Sequence, residues 1–81
     1  MWKDDAWLLD MLNACRRIQR HAQGVDGAAF LSDDLRQDAI VRQFTVLGEA
    51  AKRVSPEVRT AHPEIPWQQI AGFRDVVVHQ Y

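Results

Sequence analysis

Apolar residues recur every three or four positions along most of this chain, and this period predicts an all-α protein. We expect a first helix over residues 4–23, capped by Asp4 or Asp5 and ended by Gly24. Its apolar stripe, which we expect to include Cys15 as a small core residue, contains Leu8, Met11, Leu12, Cys15, Ile18 and Ala22. The first quarter of the sequence therefore predicts one long amphipathic helix.

A loop is predicted over residues 24–32, with Phe30 and Leu31 tucked under the helices. Ser32 has the character of the next N-cap, because two acidic residues follow it in the first turn. The second long helix then extends to about Val54. Its stripe steps by four, three, four and three residues through Ile40, Phe44, Leu47, Ala51 and Val54.

Two further helices are predicted from the proline positions. Ser55-Pro56-Glu57 is a helix start that combines a cap, a proline at the first position and an acidic residue. Pro63 and Pro66 keep this helix short and open a final helix over residues 67–81. The predicted architecture is an up-and-down antiparallel helical bundle.

Composition narrows the class of protein. The chain has 81 residues, of which 47% are hydrophobic and 26% charged, which is typical of a folded domain. Ten basic residues against eleven acidic ones give a net charge of −1, so the chain is neither a basic nucleic-acid arm nor an acidic tail. Its apolar runs are too short to cross a membrane, and its opening residues do not form a signal peptide. We therefore expect a cytoplasmic protein.

So small a domain needs additional stabilisation, which disulfides, metals or a second chain can supply. Cys15 is the only cysteine, so it has no intramolecular partner. His21, His62 and His79 lack the spacing of a metal site, and we predict neither a metal nor another cofactor. Oligomerisation is the remaining source of stability that we expect.

The final helix carries the candidate chemistry. Arg74 interrupts its apolar stripe, and buried arginine requires a partner. Asp75 and His79 are four residues apart, so the carboxylate can orient the imidazole. Arg74 and His79 are five apart, which separates them by about 140° on a regular helix. The two residues can share one site in three ways. The helix can be irregular, for which Gly72 is a candidate; the long arginine side chain can wrap round the helix; or two chains can each supply one residue.

Other interpretations of these residues stay open. Arg74 could form a structural ion pair with Asp75 or Glu49, and His79 could be a core or surface histidine. Tyr81 could be a packing aromatic residue. A further cluster, in the first helix, could either bind the phosphates of a nucleic acid or form a solvated helix end favoured by the dipole. That cluster consists of Arg16, Arg17 and Arg20.

Residues 74–81, Arg-Asp-Val-Val-Val-His-Gln-Tyr, resemble the RxxxxHxY signature of HEPN-domain toxins of the HepT-like ribonuclease family. The resemblance extends upstream to two segments of the second long helix, residues 39–42 and 47–52, and the latter contains Gly-Glu-Ala-Ala-Lys. It also includes two segments that lead to the motif, residues 63–67 and 70–74, and the former contains Ile-Pro-Trp. The ordered set covers residues 4–81, nearly the whole chain. It is far more specific than RxxxxH alone.

The resemblance implies a homodimeric HEPN bundle in which two RxxxxH motifs form one cleft that cuts RNA without a metal. His79 would be the general acid or base and Arg74 the phosphate and transition-state clamp, with Asp75 in support. The implied partner is a nucleotidyltransferase antitoxin that adds AMP to the motif tyrosine, here Tyr81. Members of the family continue through a further helix, so residues 1–81 would be a single HEPN domain that is incomplete at its C-terminus.

The family usually has asparagine where this chain has Asp75, and the extra negative charge would weaken RNA binding or tune His79. Two other functions therefore remain open. The chain could be a non-catalytic HEPN module that binds RNA, nucleotide or the antitoxin. Alternatively, it could be a plain helical dimerisation protein.

Overall fold

The computed structural model describes the backbone of residues 2–80 and the side chains of residues 3–73. The described backbone contains five helices and no strand, which confirms the predicted all-α class. The helices are α1 (Trp2–Ala22), α2 (Gly27–Leu31), α3 (Asp34–Arg53), α4 (Pro56–Ala61) and α5 (Trp67–Gln80). The long helices α1, α3 and α5 alternate in direction, and α3 packs against both of the others.

The core lies where α3 meets α1 and the start of α5. The predicted α3 stripe is confirmed, because Ile40, Leu47, Ala51 and Val54 are buried and Phe44 is half-buried. Phe44 packs against one buried cluster, which consists of Leu47, Ala50, Ala51 and Val54 with Met11 and Ala14 from α1 and Trp67 from α5. Small residues at this contact let the helices approach closely.

The predicted apolar stripe of α1 is partly wrong. Cys15 is exposed rather than in the core, and Leu12 keeps 45% of its surface exposed. Ala14, which the stripe omitted, is 1% exposed. The apolar residues span too wide an arc for one packing face, and the contact with α3 falls on the side of Met11 and Ala14.

The connection between α1 and α3 contains a short helix where a loop was expected. Gly24 ends α1 with a left-handed φ of 71°, and Asp26 then caps α2 by accepting from the backbone N–H of Ala29. Leu31 is 77% exposed, so the prediction that it packs under the bundle is wrong; Phe30 is half-buried.

Asp33, and not Ser32 as predicted, caps α3. Its Oδ1 accepts from the backbone N–H of Arg36 at 3.0 Å. Ser32 instead closes α2, since its hydroxyl donates to the carbonyl oxygens of Ala28 and Ala29. Ser32 therefore caps the end of α2, and Asp33 caps the start of α3.

Asp4 joins the start of α1 to the turn between α3 and α4. Helix α1 begins at Trp2, so neither Asp4 nor Asp5 is its N-cap as predicted; both lie in its first turn. Asp4 is 5% exposed and accepts from the backbone N–H and the hydroxyl of Ser55, each at 2.8 Å. Ser55 also caps α4, as the sequence predicted.

Candidate functional site

The start of α5 is anchored before the motif begins. Trp67 is 9% exposed, and its indole N–H donates to the carbonyl oxygen of His62 at 2.9 Å. Nδ1 of His62 also lies 3.1 Å from Oε2 of Glu64. The pKa of Glu64 is lowered by its own backbone N–H and then by the His62 ring. The Ile-Pro-Trp segment thus turns the chain and seats α5 in the core.

A ring contact sets how α5 lies against α3. Phe44 and Phe73 meet edge to face, with their ring centroids 5.3 Å apart. Trp67 packs against the C-terminal part of α3, while Phe73, six residues later, contacts a residue earlier in α3. The two helices are therefore antiparallel, and the second half of α5 extends along the first half of α3.

The RxxxxH motif occupies this second half of α5. The helix is continuous from Trp67 to Gln80, so the predicted helical setting of Arg74, Asp75 and His79 is confirmed. Their side chains, and the whole of Tyr81, lie outside the described residues. The contacts and roles assigned to these four residues therefore remain predictions.

The second predicted group lies on α1. Arg16, Arg17 and Arg20 are all exposed. Arg16 and Arg20 line a shallow, open groove along the end of α1 with Gln19, Ala22 and Gln23. Arg20 also lines a second groove, of about 380 Å³, between the end of α1 and the start of α3.

Sequence reasoning missed a further arginine in that second groove. Arg36 donates from Nη1 to the carbonyl oxygen of His21 at 3.0 Å, and its Nε lies 3.2 Å from Oδ2 of Asp33. Arg36 lies in the first turn of α3, where the helix dipole disfavours a positive charge. This unfavourable position was the sequence signal that Arg36 has a particular contact. Arg36 joins the end of α1 to the start of α3.

The antiparallel order brings both candidate groups to one end of the molecule. The Arg36–His21 contact places the end of α1 beside the start of α3, and the Phe44–Phe73 contact directs the end of α5 the same way. The Asp4–Ser55 contact marks the opposite end. The arginines of α1 and the motif half of α5 thus share the end at which α3 begins.

The described residues contain neither a metal-binding cluster nor a membrane-spanning helix. Among the described residues, no group of three or more His, Cys, Asp or Glu side chains is arranged to hold a metal ion. None of the helices in the described part of the chain is long and apolar enough to span a membrane.

The fold and the motif helix define an all-α bundle protein with an RxxxxH element on its last helix. The family model described as "Ribonuclease HepT-like" matches residues 11–81. The chain belongs to this HepT-like ribonuclease family of HEPN proteins, and the resemblance seen in the sequence is confirmed.

Curated relatives agree with the family match. A protein named "Putative RNase" from Caldanaerobacter subterraneus is 33% identical over 75 residues, which cover 93% of this chain and 67% of the relative. A protein named "Probable ribonuclease HepT" from Thermococcus cleftensis is 33% identical over 93% of this chain and 68% of its own length. This chain thus spans about two thirds of these relatives. No solved structure matches it.

Proposed function

We propose that this chain is a metal-independent endoribonuclease of a toxin–antitoxin pair, active as a homodimer. The observation that carries the proposal is the family match over residues 11–81, which includes the complete RxxxxHxY motif. Two relatives carry ribonuclease names, which supports RNA as the substrate. A nucleotidyltransferase antitoxin is the proposed second partner.

The continuity of α5 supports a site shared by two chains. Five residues separate Arg74 from His79, and five residues on a regular helix turn by about 140°. The two positions therefore occupy different sides of one helix. A second copy would bring the His79 position of one chain towards the Arg74 position of the other.

The proposed reaction is an internal transesterification. One His79 removes the proton of the 2′-hydroxyl, and the 2′-oxygen attacks the adjacent phosphorus atom. The bond from phosphorus to the 5′-oxygen breaks, and the His79 of the second chain donates a proton to that leaving oxygen. The products are a 2′,3′-cyclic phosphate and a 5′-hydroxyl.

Arg74 and Asp75 have supporting roles in this scheme. Arginine stays charged at all relevant pH values and binds phosphate oxygens through a planar pair of donors. Arg74 would therefore stabilise the negative charge of the pentacovalent transition state. Asp75, four residues before His79, would orient its imidazole and favour the protonated form.

Regulation is assigned to Tyr81. Transfer of AMP from ATP to its hydroxyl, with release of pyrophosphate and the hydroxyl proton, would place a negatively charged phosphodiester and an adenine beside the cleft. Both groups would oppose RNA, the charge by repulsion and the base by occupying space.

Cleavage of a labelled RNA tests the proposal, with EDTA present to remove divalent metal ions. We expect the wild-type protein to cut and to leave cyclic phosphate ends, and His79→Ala to lose at least about 100-fold in rate while it still binds RNA. Arg74→Ala should lose a comparable amount. Binding without cleavage by the wild type would favour the non-catalytic module.

The same assay tests the regulation. Incubation with the antitoxin and ATP should abolish cleavage by the wild type and add AMP units to its mass. Tyr81→Phe should stay active and unmodified. If both proteins gain AMP equally, Tyr81 is not the modified residue.

A further inference from the structure

We infer that the end of the bundle where α1 stops and α3 begins carries a phosphate-binding subsite for the RNA, with Arg20 at its centre. Arg16 and Arg36 complete this subsite. The inference rests on the proposed function, because it takes RNA to be the substrate. It names the part of the molecule that holds the RNA backbone away from the scissile bond.

Arg20 lies where the two grooves at this end of the bundle meet. It is exposed and is the residue shared by the two grooves at this end. Arg16, one helical turn earlier, lines the first groove, and Arg36 lines the second. Three guanidinium groups therefore follow two adjoining depressions. Proteins that bind single-stranded nucleic acids place cations along the path of the backbone, and these guanidinium groups offer such a path.

Arg36 is held in place before any ligand arrives. Its Nη1 donates to the carbonyl oxygen of His21, its Nε lies 3.2 Å from Oδ2 of Asp33, and its side chain keeps 33% of its surface exposed. Among the described residues of this groove the carboxylate is that of Asp33, which accepts from the backbone N–H of Arg36 and forms an ion pair with its guanidinium group. Its negative charge is thus compensated locally, which lowers the repulsion that a phosphate would meet.

The direction of the helices links this subsite to the motif. The motif half of α5 extends along the first half of α3, and Arg36 lies at the start of α3. An RNA strand bound at the motif could therefore continue across the end of the bundle to Arg20. Arg17 is also exposed but lines neither groove, so we expect a smaller contribution from it than from Arg20.

Salt-dependent RNA binding tests the subsite. The parent protein carries His79→Ala, so that a fluorescent single-stranded RNA stays intact during an anisotropy titration. Arg20→Ala in this parent should weaken binding about tenfold at low salt and reduce the slope of log K against log salt by about 0.7, the value for one lost phosphate contact on a single strand. Arg53→Ala is the matched control, because Arg53 is exposed at the opposite end of α3, beside the Asp4–Ser55 contact, and lines neither groove.

The outcomes separate this inference from the proposed activity. Equal effects of Arg20→Ala and Arg53→Ala would show only a general loss of charge and would overturn the subsite. So would an Arg20→Ala protein that binds RNA like its parent but loses the antitoxin, because the surface would then bind protein. A parent that binds no RNA also overturns it. Absence of cleavage by the wild type, with the Arg20 effect intact, would overturn the ribonuclease and leave the subsite standing.

Discussion

Asp4 shows how one buried carboxylate can join distant parts of this fold. It accepts two hydrogen bonds from Ser55, 51 residues away, and the backbone N–H and then the hydroxyl of Ser55 hold its pKa below the ordinary value of 3.8. A lowered pKa in the folded state means that the charged form stabilises the fold. This contribution is complete above about pH 3.8 and is lost as the pH falls through the folded pKa.

Replacement of Asp4 tests this interaction. Asp4→Asn should lower the free energy of unfolding at pH 7, because the amide has one acceptor oxygen where the carboxylate had two. The difference from the wild type should shrink as the pH is lowered below 3.8. Urea unfolding followed by circular dichroism at pH 7 and pH 3 measures both quantities.

Asp5 supplies the control for this experiment. It lies in the same first turn of α1 but is exposed. Asp5→Asn should therefore change stability little at either pH. If the two variants respond alike to pH, the general charge of the helix terminus and not the Ser55 contact is responsible.

At the scale of helices, the sequence predicted α3, α4 and α5 closely and missed how α1 is rotated. Ser55 and Pro56 cap and start α4 as expected, because these signals are local. Which side of α1 is buried depends on where α3 lies. The apolar residues from Leu8 to Cys15 span a wide arc, so they are compatible with several rotations of α1 about its axis. Asp4 could not be paired with Ser55 from the sequence for the same reason, since that contact depends on the tertiary fold.

Neighbouring residues of α1 provide a test of its rotation. Ala14 is 1% exposed against α3, whereas Cys15 is exposed. Ala14→Leu should destabilise the protein by about 1–3 kcal/mol through overpacking, and Cys15→Leu should change stability by less than about 0.5 kcal/mol. Urea midpoints of the two variants measure this contrast. Similar losses would mean that α1 is rotated towards Cys15.

At the scale of the whole molecule, the antiparallel path of three long helices places α1, α3 and α5 so that one end combines arginines with the motif. Opposite ends are marked by the Asp4–Ser55 and Arg36–His21 contacts. The motif was visible in the sequence because its residues are contiguous. Arg36 was not singled out, since its relation to Arg20 appears only when the ends of α1 and α3 meet.

The Phe44–Phe73 contact couples the packing of the core to the placement of the motif. Phe73 directly precedes Arg74, and the edge-to-face geometry fixes α5 against α3 at that point. Removal of the Phe44 ring lets the motif half of α5 shift. Displacement of a catalytic group by about 1 Å can cost on the order of 100-fold in rate.

We therefore expect Phe44→Ala to lower kcat for RNA cleavage by at least about tenfold at a temperature where the variant is folded, with little change in KM. Phe44→Tyr, which keeps the ring, should recover most of the rate, and Phe44→Leu, which keeps only a smaller apolar group, should recover less. Val58→Ala is the control. Val58 packs against the same core but belongs to α4, the helix that follows Ser55 in the sequence. A variant of equal stability loss at Val58 should keep its kcat, because α4 does not carry the motif. Equal losses of kcat in both variants would assign the effect to general destabilisation and remove the special role of this ring pair.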